Sequence, residues 1–415
     1  MSIKTTLRAI PALLLFALLS AFSIPDGSEN TDNKTRMQIK ETDNTEFSLD
    51  LYRTLGKSAD GNIFFSPYSV SAALSMTLAG AAGETEQQIA ALLRAPDDIA
   101  AYNAAQAAFE NHINRIAEKG SVTLETANSL WPQEGYALSK PFLHDLKKYY
   151  GSTVTTVDYR RNTEKAREAI NTWVEKKTRD KIRGLLKPGI LNNLTRLTLV
   201  NAIYFKGDWA NRFDSAATTG SVFYAGPDTT VTVPMMYQER KFRYAASDSL
   251  QILELPYSGD DLSMLVLLPV AKNGITGLEN SLDSELLDTL TGALRERTVS
   301  LFLPKFSITS TLRLDQTLRR LGMTDAFDPA KADFSRMTSS KDKLFIGAAV
   351  HKAFIDVNEE GTEAAAATGV AIGLTSAMPQ PVAVFRADHP FLFIIRENRS
   401  GSILFMGRVA EPENG

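Results

Sequence analysis

The chain has 415 residues, is 44% hydrophobic and 22% charged, carries a formal net charge of −3 and contains no cysteine. This is an ordinary globular composition, and it excludes a disulfide scaffold, a thiol nucleophile, a thiolate metal site and a lipidated cysteine. No dense Lys/Arg run points to nucleic acid, heparin or another polyanion as partner.

The N-terminus places Lys4 and Arg8 before an apolar run from Ala9 to Phe22, broken only by Ser20. This is the pattern of a secretory signal covering residues 1–23, with Ala21 and Ser23 small enough to flank a cleavage point. A short membrane anchor is the alternative, although the run is brief for a span. Export to an extracellular or periplasmic space follows from the first reading. Residues 24–45 are polar and predict a disordered tail. Beyond them no linker, repeat or low-complexity tract interrupts the chain, so residues 46–415 read as one domain.

Within that domain, periodicity predicts helices near 47–57, 84–93, 100–118, 139–149, 163–179, 284–294 and 311–321. Another starts at Ser66-Pro67, where a capping hydroxyl precedes a proline in the first turn. Strand-like runs cover Val122–Trp131, Leu197–Phe205, Val231–Met236, Gln251–Pro256, Leu262–Leu268, Val299–Phe306, Leu344–Val357, Phe391–Arg396 and Ile403–Arg408. Helices crowd the first half and strands the second, without regular alternation. That favours an α+β fold with large mixed sheets over a doubly wound parallel sheet.

Enzyme signatures are missing. The chain has no Gly-x-Ser-x-Gly elbow, no His-Glu-x-x-His, no Gly-Lys-Ser/Thr phosphate loop and no Gly-x-Gly-x-x-Gly. Its four histidines, His112, His144, His351 and His389, are not spaced as metal ligands. No cofactor or metal is therefore expected. The patterns at Asn33, Asn193 and Asn398 are glycan acceptors only on a eukaryotic secretory route.

The most informative stretch is Gly361-Thr362-Glu363-Ala364-Ala365-Ala366-Ala367, which has no proline or bulky side chain and one charge. At period two, Thr362, Ala364, Ala366, Thr368, Val370, Ile372 and Leu374 share one face, small and then apolar. Such alternation fits a strand with one buried face. Ala and Gly form strands poorly, however, and an Ala-rich helix capped by Thr362 is the competing reading.

Seven stretches, in order, carry a family resemblance. They are Asn62-Ile-Phe-Phe-Ser-Pro-Tyr-Ser69, Leu199-Val-Asn-Ala-Ile-Tyr-Phe-Lys-Gly-Asp-Trp209, Leu303-Pro-Lys-Phe306, Val350-His-Lys-Ala353, the Gly361 segment, Asp388-His-Pro-Phe391 and Leu404-Phe-Met-Gly407. Together they resemble the serpins, from about Phe47 to Pro412. The resemblance implies three β-sheets, eight or nine helices and an exposed reactive loop over about 360–384, in a monomer. It implies a serine protease as partner, held in a covalent complex when the cut loop inserts into the central sheet, and neither nucleic acid nor membrane.

Residue by residue, the resemblance makes Gly361 to Ala367 the hinge of that loop. It assigns Ser66, Ser69, Asn201 and His351 to a polar cluster beneath the point where the sheet opens. Trp209, Lys305 and Glu359 fall at the place where the loop enters. Counting from the hinge puts the scissile bond at Thr375-Ser376; counting back from Asp388 moves it to Ala377-Met378, with Leu374 a further candidate. None of these is basic, and no Arg or Lys lies between Lys352 and Arg386, so the expected target is elastase-, subtilisin- or chymotrypsin-like. The alternatives are a non-inhibitory serpin acting as carrier or chaperone, and a secreted hydrolase built on Ser66 and His351.

Overall fold

Long apolar runs such as Leu197–Phe205 and Leu262–Leu268 form ladders. In the computed structural model, which describes residues 43–57, 60–152, 154–340, 342–361 and 381–413, a four-stranded sheet joins β2 (Val122–Pro132), β3 (Leu197–Gly207), β10 (Ile346–Val357) and β9 (Phe306–Arg313) in that order. A nine-stranded network joins β1 (Ile63–Phe65), β13 (Ile403–Val409), β12 (Phe391–Glu397), β7 (Leu262–Pro269), β6 (Leu250–Pro256), β5 (Thr229–Ala246), β8 (Arg295–Pro304) and β11 (Ala383–Arg386), with β4 (Thr219–Gly226) also on β5.

The 18-residue strand β5 explains how three expected sheets become two networks. Its first part pairs with β4 and its middle with β8, while only Arg243–Ala246 pair with β6. One strand thus belongs to two sheets. The chain passes from the larger network into the four-stranded sheet between Pro304 and Phe306, with Lys305 alone between β8 and β9.

Nine helices are seen among the described residues: α1 (Thr45–Gly56), α2 (Pro67–Leu78), α3 (Gly83–Leu92), α4 (Ile99–Glu118), α5 (Lys140–Tyr150), α6 (Tyr159–Lys177), α7 (Ile275–Ser281), α8 (Ser284–Ala293) and α9 (Asp315–Arg320). Helix α2 starts where its sequence predicts, with the Ser66 hydroxyl accepting from the Ser69 N–H. Every residue of it except Ala72 is buried, as expected of a helix without a polar face. Its hydroxyls turn back onto its own carbonyls: Ser71 to Tyr68, Ser75 to Ser71 and Thr77 to Ala73.

The helix expected at 311–321 is corrected. Residues 306–313 alternate apolar and polar and pair with β10 as an edge strand, leaving only Asp315–Arg320 helical. The strands β1, β4 and β9, the upper half of β5 and the short helix α7 are additions to the predicted elements. They are brief or amphipathic pieces whose pairing partners mostly lie far along the chain.

At Gly407 three strands meet: it pairs with Phe64 on β1 and Phe393 on β12, whose rings stack 5.8 Å apart. A Cβ there would lie 2.6 Å from both the Ile63 carbonyl oxygen and the Phe393 ring. Gly407→Ala should therefore destabilise the protein by roughly 1–3 kcal/mol through overpacking, seen as a lower urea midpoint; an unchanged midpoint would show that the contact can relax.

Candidate functional site

The centre of the four-stranded sheet is a parallel pair. Strands β3 and β10 are registered from Leu197 opposite Ile346 to Tyr204 opposite Phe354, while β2 and β9 flank them antiparallel. Parallel ladders are slightly weaker per residue than antiparallel ones. A strand turning back from the end of β10 would run antiparallel to both β10 and β3. The segment from Asn358 to Gly361 leaves from the top of this seam.

That corner is held from several directions. The Trp209 indole donates to the Asn358 carbonyl at 3.0 Å and its ring stacks on Tyr257 at 4.6 Å. Backbone N–H groups of Trp209 and Phe213 donate to the carbonyls of Glu360 and Glu359. The Glu359 carboxylate takes Lys305 Nζ at 2.8 Å and the Thr218 hydroxyl at 2.8 Å. Burial works to raise the Glu359 pKa, but these bonds outweigh it and hold the pKa below the usual carboxylate value. Gly361 has φ +98°, and a Cβ on it would overlap the Trp209 nitrogen and the Gly207 oxygen. Only glycine fits such a position. Trp209, Lys305, Glu359 and Gly361 are thus brought together. Thr362, Glu363, Ala364, Ala365, Ala366 and Ala367, and the candidate cleavage residues Leu374, Thr375, Ser376, Ala377 and Met378, lie outside the described residues.

Lower on the inner face, Ser66, Ser69, Asn201 and His351 form one buried cluster. Its hydrogen bonds fix the protons. The Ser66 N–H donates to His351 Nε2 at 3.1 Å, so Nε2 must accept. Nδ1 then carries the proton and donates to Asn201 Oδ1, directly across the β3–β10 seam. The Asn201 amide in turn donates to the Ser69 carbonyl and to Asn128 Oδ1, and the Ser69 hydroxyl bonds the same Asn128 oxygen at 2.9 Å. Burial lowers the His351 pKa to about 3, which keeps the ring neutral. Asn128 is a member that the sequence motifs do not reveal. Its one signal is a polar amide sharing a strand face with Leu124 and Leu130.

This geometry speaks against the hydrolase reading. His351 contacts the backbone nitrogen of Ser66, while the Ser66 hydroxyl donates to the Leu404 carbonyl at 2.6 Å. The base does not touch the hydroxyl it would have to activate. Among the described residues, no group of three or more His, Asp or Glu could hold a metal ion.

Comparison with known proteins agrees with this arrangement. The model of the family Serpin (serine protease inhibitor) matches residues 42–412. The leukocyte elastase inhibitor of Homo sapiens is 41% identical over 390 residues, covering 91% of this chain and 100% of that protein. The leukocyte elastase inhibitor of Sus scrofa is 42% identical over 379 residues, covering 89% and 98%. Among solved structures, uncleaved ovalbumin superposes with a TM-score of 0.80 at 32% identity, covering 89% of this chain and 98% of that one.

The His351 pKa generates a stability prediction. The unfolded side chain titrates near 6.5, whereas the folded one stays neutral to about 3. Between those values the unfolded state binds the extra proton. The stability that His351 contributes is therefore complete above pH 6.5 and lost as pH falls towards 3, at up to roughly 1.4 kcal/mol per pH unit. Urea unfolding across this window should show a steeper acid loss for the parent protein than for His351→Gln; parallel curves would contradict it.

Proposed function

The chain belongs to the serpin family, and on that premise we propose that it is a suicide-substrate inhibitor of serine proteases rather than an enzyme. The target's serine attacks a bond in the loop between Gly361 and Pro381 and forms an acyl-enzyme. The freed strand then enters the β3–β10 seam, antiparallel to both neighbours, and carries the acylated protease away from the corner. Distortion of the protease's oxyanion hole stalls deacylation; losing one such donor costs roughly 100- to 1,000-fold. Loop insertion of this kind is general to inhibitory serpins.

The observation that carries this reading is the parallel β3–β10 pair with the chain leaving β10 at its open end. An inserted strand exchanges one parallel contact for two antiparallel ones, each added ladder bond worth about 1 kcal/mol net. The uncut form is then held kinetically. The small, uncharged side chains of Thr362, Ala364 and Ala366, which share the face expected to turn inward, support rapid insertion. The lack of Arg or Lys between Lys352 and Arg386, and the names of the elastase-inhibitor relatives, support an elastase-like target; the count from the hinge at Gly361 favours cleavage at Thr375-Ser376. Lys4, Arg8 and the apolar run to Phe22 support an exported protein; those residues lie outside the described ones. No helix among the described residues is long and apolar enough to cross a membrane.

A panel of serine proteases, assayed for complexes stable in hot SDS, tests the proposal, and mass spectrometry of the complex locates the cut. Thr362→Arg would bring an unpaired charge into the sheet. It should abolish the complex while leaving cleavage intact, so persistence of the complex would refute insertion. Nicking between Thr368 and Gln380 should raise the melting temperature markedly; an unchanged value would remove the mechanism altogether.

A further inference from the structure

Two side-chain links cross the β3–β10 seam, one on each face. The inner one is the bond from His351 to Asn201. The outer one is aromatic: Tyr204 and Phe354 occupy the last registered pair of the ladder, their rings 5.8 Å apart and 6° from parallel. Above this pair the flanking ladders continue, β3 with β2 as far as Gly207 opposite Val122, and β10 with β9 as far as Val357 opposite Phe306. The stack therefore stands at the boundary between the closed seam and the corner that holds Gly361.

The segment following α6 reinforces it from outside. Lys181 Nζ lies 5.5 Å from the centre of the Tyr204 ring, a cation–π contact. Lys352, two residues before Phe354, donates to the Arg183 carbonyl at 2.7 Å. Arg179 pairs at 3.0 Å with Glu125, which is registered opposite Tyr204 on β2.

We infer that Tyr204 and Phe354 act as a clasp on the seam that sets how fast the cut loop enters, and so how often the acyl-enzyme is trapped rather than released. The inference rests on the insertion reading above. A strand placed between β3 and β10 moves their backbones to about 9.6 Å apart, twice the spacing of paired strands. Rings stacked across adjacent strands cannot follow, so their contact exists only in the uncut molecule. It is also the first closed pair that an incoming strand meets. An interaction broken on the way in and not recovered afterwards adds to the barrier for insertion. These are positioning residues; neither touches the protease.

The test is a double-mutant cycle of Tyr204→Leu, Phe354→Leu and the double variant in the full chain. Insertion is followed by a fluorophore on Ala371→Cys, which labels uniquely because the chain has no other cysteine. Each single variant should insert faster, by roughly twofold to tenfold, the range that one aromatic stack is worth. Combining them should add little, because the contact is already lost. The same coupling should appear in the unfolding rate of the uncut protein and vanish in the cut form. Additive effects on insertion, or equal coupling in cut and uncut protein, would overturn the clasp. Were the parent protein to gain no thermal stability on nicking, the insertion reading itself would fall, whereas a gain with additive variants would sink the clasp alone.

Discussion

Two parallel strands lying side by side at the middle of a sheet are the constraint on which this molecule turns. The β3–β10 ladder is complete enough to hold the sheet, yet it is the one contact in that sheet that an antiparallel strand could improve upon. The flanking pairs with β2 and β9 are antiparallel already. The parallel pairing of this sheet is thus confined to a single line, bridged on one face by His351 and Asn201 and on the other by Tyr204 and Phe354.

The guarding groups are polar on one face and apolar on the other. On the inner face, a backbone donor fixes the His351 tautomer, and the chain of bonds runs on through Asn201 to Ser69 and Asn128. The Asn201 amide has the Ser69 carbonyl, the Ser69 hydroxyl and Asn128 Oδ1 all within reach, alternatives that a purely apolar contact would lack. At the top, Lys305 links two sheets through its backbone and holds Glu359 through its side chain. A displacement of the loop root is thus felt directly by both sheets.

Much of this is legible in the sequence, and the boundary is physical. Helix α2 announces itself through Ser66-Pro67, and the long apolar strands β3, β7 and β10 through their composition. Trp209, Lys305, Glu359 and the Ser66–His351 cluster follow from family motifs, and the structure brings each set together. Register is not legible. Nothing in the order of residues says that Tyr204 faces Phe354 or that Asn128 completes a cluster built from α2, β3 and β10, because strand pairing is decided by packing between distant segments. The same reason hides β9, whose final residues read equally well as the start of a helix.

The backbone around Gly361 has one further consequence. With the Trp209 nitrogen and the Gly207 oxygen occupying the space where a Cβ would go, no side chain of any size is compatible with this corner. A substitution at Gly361 is therefore not a graded change: even alanine must displace the backbone of Gly207 and Trp209 before it can be seated.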